Sequence, residues 1–209
     1  MLKYFFSFCF CVLLSAAAAA QNAQKVLEAT AQRLTGSDDV RAQFKVTQFS
    51  GTTPQGDAQG TILISGRKFQ MVTDELTTWF DGQTQWTMLS NSNEVNVAMP
   101  NEEEQAAMNP AILVNIYKKG YRSSMTKSEL RGKPTYVVHL TAKTKKASFS
   151  DIFVDVEQST FNPLCIRAKK DGDWMRLAIL TFQNGLKLPA STFTFPKSDF
   201  PSAEIIDLR

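Results

Sequence analysis

LTTWFDGQTQWTMLSNSNEVNVAM (residues 76–99) followed by NPAILVNIYKKG (109–120) decides the architecture: two aromatic strands around a turn, a third strand, then one short helix. Asp81-Gly82 is a hairpin dipeptide, since tight turns need backbone conformations that Asp and Gly tolerate. Residues 90–93 supply a second turn before Val95, Val97 and Met99, which alternate as a half-buried strand does. In the helix, Asn109 can cap, Pro110 suits the first helical position, Lys118 and Lys119 complement the C-terminal end, and Gly120 can take the left-handed stop. Its apolar side, Ile112, Leu113, Ile116 and Tyr117, is a stripe at helical spacing that must rest on another apolar surface, and the neighbouring sheet is expected to supply it.

The same grammar extends in both directions. Residues 22–34 carry Leu27, Thr30, Ala31 and Leu34 on one helical side, with Gly36 as a stop. From Val40 the period becomes two, with Val40, Ala42, Phe44 and Val46 alternating with polar neighbours. Ile62 and Ile64, then Phe69 and Met71, continue the pattern between turn signals at Pro54-Gln55-Gly56 and Ser65-Gly66. After Gly120 come strand patterns at Tyr136/Val138/Leu140, Ile152/Val154/Val156, Leu164/Ile166 and Met175/Leu177/Ile179. Their turns fall at residues 131–134, 143–147, 161–163 and 171–173. The expectation is an α+β protein that is mainly β: about eleven strands in a single large curved antiparallel sheet, with an N-terminal helix and a short lid helix. Sheets of that size coil into barrels or half-barrels, whose concave face can hold an apolar ligand.

Lys3 precedes an apolar run ending in small residues at Ala18-x-Ala20, which reads as a cleaved secretory signal over residues 1–20. Removing 20 of 209 residues leaves 189, suited to a single domain over 21–209 with its own core. Cys9 and Cys11 lie inside the apolar run, so neither is placed as a lipidated first residue, and Cys165 is left without a disulfide partner. A soluble, exported, periplasmic chain is expected. Its net charge of +3, or +2 without Lys3, gives no reason to expect nucleic acid as a partner.

Catalytic chemistry is sparse. The sole histidine, His139, alternates with apolar neighbours and is expected to face water; Asp151 and Asp155 share one side of a strand and read as solvent-facing. No nucleophile elbow, zinc motif, phosphate loop or paired C-x-x-C occurs, so no enzyme activity, metal or cofactor is expected. Glu102-Glu103-Glu104 reads as charge favouring a helix start.

GTILISGRKF (60–69), LTTWFDGQTQWTMLSNSNEVNV (76–97), the Asn109-Pro110 helix and STFTFPKSDFPSAEIIDL (191–208) together resemble the LolA-type periplasmic carriers of outer-membrane lipoproteins. The resemblance implies an incomplete barrel of eleven antiparallel strands closed by helices, whose apolar interior takes up acyl chains, and a monomeric chaperone for lipoprotein localisation and outer-membrane biogenesis. Its implied partners are acylated lipoproteins, an inner-membrane ABC lipoprotein-release transporter and an outer-membrane acceptor. On this reading Phe44, Val46, Ile62, Ile64, Phe69, Met71, Trp79, Trp86, Met88, Val97 and Met99 line the cavity, and Pro110, Ile112, Leu113, Ile116 and Tyr117 belong to the lid helix. In the family an arginine followed by Pro-Asn on an early strand latches the lid; Arg67 stands nearest to that place, in a shorter segment without Pro-Asn. A module of related fold that senses or binds lipid or lipoprotein without transporting it is the alternative, with an enzyme or a purely structural envelope protein as further classes.

Overall fold

The computed structural model describes residues 22–36, 38–101, 104–105 and 120–209. The expected signal segment 1–20 and lid helix 110–119, with Pro110, Ile112, Leu113, Ile116 and Tyr117, lie outside the described residues. Helix α1 covers residues 22–35. Twelve strands follow: β1 Asp39–Ser50, β2 Thr53–Ser65, β3 Lys68–Thr73, β4 Leu76–Phe80, β5 Gln85–Leu89, β6 Glu94–Ala98, β7 Tyr121–Leu130, β8 Lys133–Ala142, β9 Asp151–Glu157, β10 Pro163–Lys170, β11 Asp173–Leu186 and β12 Glu204–Asp207.

All twelve belong to one open sheet, ordered β12-β6-β5-β4-β3-β2-β1-β11-β10-β9-β8-β7. Two meanders, β2–β6 and β7–β11, are joined through β1, which pairs antiparallel with β2 on one side and β11 on the other. The mainly β, antiparallel class read from the sequence holds, with a twelfth strand beyond the expected number. That strand, β12, is the one parallel addition, lying along β6 with Ile205 opposite Val95. It returns from the C-terminal segment, whose Ala190–Phe193 turn is a 3-10 helix.

Local chemistry sets the corners. Arg131-Gly132 and Asp171-Gly172 form two-residue hairpin loops with all four residues at positive φ (54°, 75°, 51° and 98°), the geometry whose twist matches the flanking strands. Asp81 shapes a four-residue loop, its Oδ1 accepting from the amides of Gln83 (2.9 Å) and Thr84 (2.8 Å). Pro54-Gln55-Gly56, expected as a turn, instead lies within β2; the turn is Gly51-Thr52, and a register shift beside Phe49 accommodates Pro54.

Strand register divides the sheet into two faces. On one, which we call the helix face, Val40, Ala42, Phe44, Ile62, Ile64, Phe69, Phe80, Val138, Leu140, Ile152, Val154 and Ile166 join Ala23, Val26, Leu27, Ala31 and Leu34 of α1 in one core. Leu27 is fully buried and Leu34 nearly so. Thr30 and Thr35 return their hydroxyls to the carbonyls of Val26 (2.9 Å) and Ala31 (3.0 Å), satisfying polar groups on a helix that is otherwise apolar toward the sheet. Arg33 Nε donates to Asn162 Oδ1 (3.1 Å), tying α1 to the β9–β10 turn.

Candidate functional site

The eleven residues expected to line one cavity divide between the two faces. Phe44, Val46, Ile62, Ile64, Phe69 and Met71 lie on the helix face, since Ala42 opposes Ile62, Ile62 opposes Met71, and Ile64 opposes Phe69. Gln70 opposes Trp79, Trp79 opposes Trp86, and Trp86 opposes Val97, which puts those aromatics with Met88 on the outer face. Met99, two residues beyond Val97, is 52% exposed.

The outer-face group has its own cover. Trp79 meets Phe195 edge-on with ring centroids 5.4 Å apart and Phe200 at 6.3 Å, while Phe195 and Phe200 stack at 5.6 Å. Phe193 is 1% exposed. The Leu208 amide donates to the Val97 carbonyl at 2.8 Å, and the Glu204 amide to that of Asn93 at 2.9 Å. Trp79 and Val97 are therefore sealed beneath the C-terminal segment. Residues 191–208 entered the sequence reading only as part of the resemblance; the aromatic cover they give Trp79 was not foreseen, and Trp79 was expected in one lining with residues of the other face.

On the helix face, Ile62, Ile64 and Phe69 are packed away at 1% exposure or less, while Val46 and Met71 are partly buried against the same core. The core runs from α1 toward β3–β5, where half-buried Leu76 and exposed Leu89 stand opposite one another. At the opposite end of β4–β6, beside the β2–β3 turn, a helix begins. Asn101 Oδ1 accepts from the Glu104 amide (3.0 Å) and Glu104 Oε2 from the Asn101 amide (2.8 Å), a reciprocal capping box that neutralises two otherwise orphaned donors. Glu104, expected to favour a helix start, is the acidic half of that box. The next residue, Gln105, is buried; its side-chain Nε2 donates to the Pro100 carbonyl (2.8 Å), and its Oε1 accepts from Arg67 Nη2 at 3.4 Å. Arg67 thus reaches from the β2–β3 turn to the first turn of that helix.

A cleft of about 550 Å³ opens beside Phe44, Gly60 and Leu180, rimmed by Asp57, Asp74 and Glu75. Of the expected cavity lining, only Phe44 borders it.

The groups considered for chemistry are held in structural pairings. His139 Nε2 lies 2.9 Å from Asp151 Oδ1, and its ring stacks on Phe153 at 4.0 Å. The His139 hydrogen bond holds the Asp151 carboxyl below its usual range. Asp155 differs from the solvent-facing reading: it is 7% exposed, and burial raises its pKa despite the Arg167 guanidinium at 3.2 Å. Burial first, then the Asp155 charge, pushes the Cys165 thiol up to about 11, so it stays protonated at neutral pH and is a poor nucleophile. Among the described residues no group of three or more potential ligands is placed to hold a metal ion.

The described residues thus form an open antiparallel sheet with a helix laid on one apolar face. Residues 13–172 match the family model described as outer membrane lipoprotein carrier protein LolA, and the chain belongs to that family. Family members are periplasmic binding and carrier proteins, which supports a lipid- or lipoprotein-binding role. Among solved structures, an uncharacterized conserved protein from Thermus thermophilus is similar in fold, with a TM-score of 0.61 at 11% identity over 89% of this chain and 99% of that one. LprF from Mycobacterium bovis is similar with a TM-score of 0.53 at 11% identity, over 85% and 98%. No curated protein matches the chain. No described helix is long and apolar enough to cross a membrane.

Proposed function

We propose that this protein is a periplasmic carrier that shields the acyl chains of lipoproteins against the helix face of its sheet and conveys them from the inner to the outer membrane. The observation that carries this reading is the apolar layer between α1 and the sheet, which includes Phe69 and has Val46 and Met71 packed against it partly buried. An acyl chain of about 15 carbons gains about 12 kcal/mol on leaving water, at about 0.8 kcal/mol per methylene. Cargo with two or three such chains does not cross an aqueous compartment unshielded. The same figure applies to the bilayer, so a useful carrier holds cargo no tighter than the membrane it serves, and an inner-membrane ABC transporter supplies the work of extraction.

In this reading the segment 110–119 is the lid, with Ile112, Leu113 and Ile116 substituting for cargo in the empty state. Arg67, through Gln105, positions the start of the preceding helical turn. The residues that receive cargo are those of the helix face, Phe44, Val46, Ile62, Ile64, Phe69 and Met71; Trp79, Trp86, Met88 and Val97 support the sheet from behind.

The deciding experiment is release of a radiolabelled triacylated lipoprotein from spheroplasts by the purified protein. A soluble one-to-one complex that passes its cargo to outer-membrane vesicles is expected, and Leu113→Arg should abolish its formation. Release without onward transfer would instead identify a binding module that does not transport. Unchanged uptake by the Leu113→Arg variant would remove the lid from the mechanism.

A further inference from the structure

The outer face of β8–β11 and β1 carries an ordered row of aromatic and cationic side chains that the carrier reading does not use. Register places His139 opposite Phe153, Phe153 opposite Arg167, Arg167 opposite Arg176, and Arg176 opposite Thr47, one residue from each of five adjacent strands. A second row beside it runs Asp151, Lys169, Trp174 and Phe49. The Arg167 guanidinium lies over the Phe153 ring at 4.8 Å, Arg176 over Phe49 at 5.2 Å, and Lys169 over Trp174 at 5.6 Å.

The charges on this face do not cancel. Asp151 is engaged by His139, Asp155 by Arg167 and Asp57 by Lys45. Among the described residues no carboxylate forms a close ion pair with Arg176 or Lys169: Asp57, opposite Thr47, and Asp151, opposite Lys169, attract them at longer range, and Arg176 donates a 3.4 Å hydrogen bond to the Thr47 hydroxyl. Like charges directly opposite across strands are destabilising, so the Arg167–Arg176 pair costs the free protein stability. A carboxylate accepting from both guanidiniums would reverse that cost, and the rings beneath hold the two planar forks in place before it arrives. Half-buried Trp and Phe interleaved with Arg is the composition of a protein-binding hot spot.

We propose that this face is a docking surface for an acidic segment of a partner protein, with the Arg167–Arg176 pair as its carboxylate-binding centre. The test uses a fluorescein-labelled deca-glutamate peptide titrated with the purified protein at low salt, read by anisotropy, with phosphatidylglycerol vesicles in a parallel arm. Arg176→Glu is the informative variant, because Arg176 is exposed and has no ion pair whose loss would unfold the sheet; Lys143→Glu, in the β8–β9 connection, changes charge equally outside the rows. Saturable peptide binding weakened about tenfold or more by Arg176→Glu and little by Lys143→Glu is expected. The proposal is overturned by absence of peptide binding, by equal weakening in both variants, or by Arg176-dependent binding to vesicles in preference to the peptide. None of these outcomes bears on lipoprotein release, so the two readings stand or fall separately.

Discussion

At the scale of single residues, two positions show how neighbouring chemistry sets stability. Gly60 on β2 faces the backbone of β3 so closely that a Cβ there would lie 2.2 Å from the Val72 carbonyl oxygen and 2.9 Å from Phe44 Cζ. The carbonyl belongs to the ladder and cannot turn aside. Gly60→Ala is therefore expected to lower unfolding free energy by about 1–3 kcal/mol, read as a shift of the urea midpoint; an unshifted midpoint would show that the β2–β3 pairing yields there. Asp155 makes a pH-dependent case. Its folded-state pKa is raised above 3.8, chiefly by burial, so the fold favours the protonated carboxyl. That preference contributes stability at low pH and is lost as pH climbs from the ordinary carboxylate value through the raised one. Asp155→Asn keeps an acceptor for Arg167 without the charge. Its midpoint relative to the parent protein should thus improve as pH rises from the ordinary carboxylate value through the raised one; a relative midpoint that falls over that interval would mean the Arg167 attraction outweighs burial.

At the scale of elements, legibility followed how locally each was determined. Helix α1 was readable because Leu27, Thr30, Ala31 and Leu34 fall on one side of a single continuous segment, and all four are buried. The hairpins at Arg131-Gly132 and Asp171-Gly172 were readable because their turns need residues that accept positive φ. The division of the candidate lining was not. On β4–β6, apolar residues point to both faces, Phe80 into the main core and Trp79, Trp86 and Val97 under the C-terminal segment, so alternation does not reveal which face is which. What covers the second face is about 100 residues or more away in sequence. Strand β12 escaped for the same reason: four residues gain their pairing only from β6, and their pattern carries little of its own. The C-terminal segment is consequently expected to act as a structural strap. Phe193→Ala, at a site 1% exposed, should cost about 3–5 kcal/mol. It should also shift tryptophan emission to the red as Trp79 and Trp86 are wetted, whereas loss of stability without a spectral shift would place the damage elsewhere.

At the scale of the whole molecule, the two meanders share one structural dependence. β1 is central, its residues pairing with β2 nearby in sequence and with the distant β11, so that Phe44 opposes both Gly60 and Ile179. The core on the helix face likewise draws Ile62 and Phe69 from one meander, Val154 and Ile166 from the other, and Leu27 and Leu34 from α1. Neither meander alone retains that core: detached from β1, each would expose an apolar face together with a new unpaired edge. Unfolding should therefore be cooperative across the sheet. The three tryptophans allow a direct measurement, since Trp79 and Trp86 sit on β4 and β5 while Trp174 begins β11. A Trp174→Phe variant reports the first meander, and a Trp79→Phe/Trp86→Phe variant the second. Each should show the same urea midpoint by fluorescence as by far-ultraviolet circular dichroism on that same protein, because the comparison within one variant cancels any change in its overall stability. A fluorescence transition preceding the circular dichroism transition in either variant would mean that its meander opens alone and that β1–β11 pairing is a hinge. That outcome would also change the proposed route of cargo entry, because a sheet able to part at β1 would admit acyl chains between its halves instead of past the proposed lid.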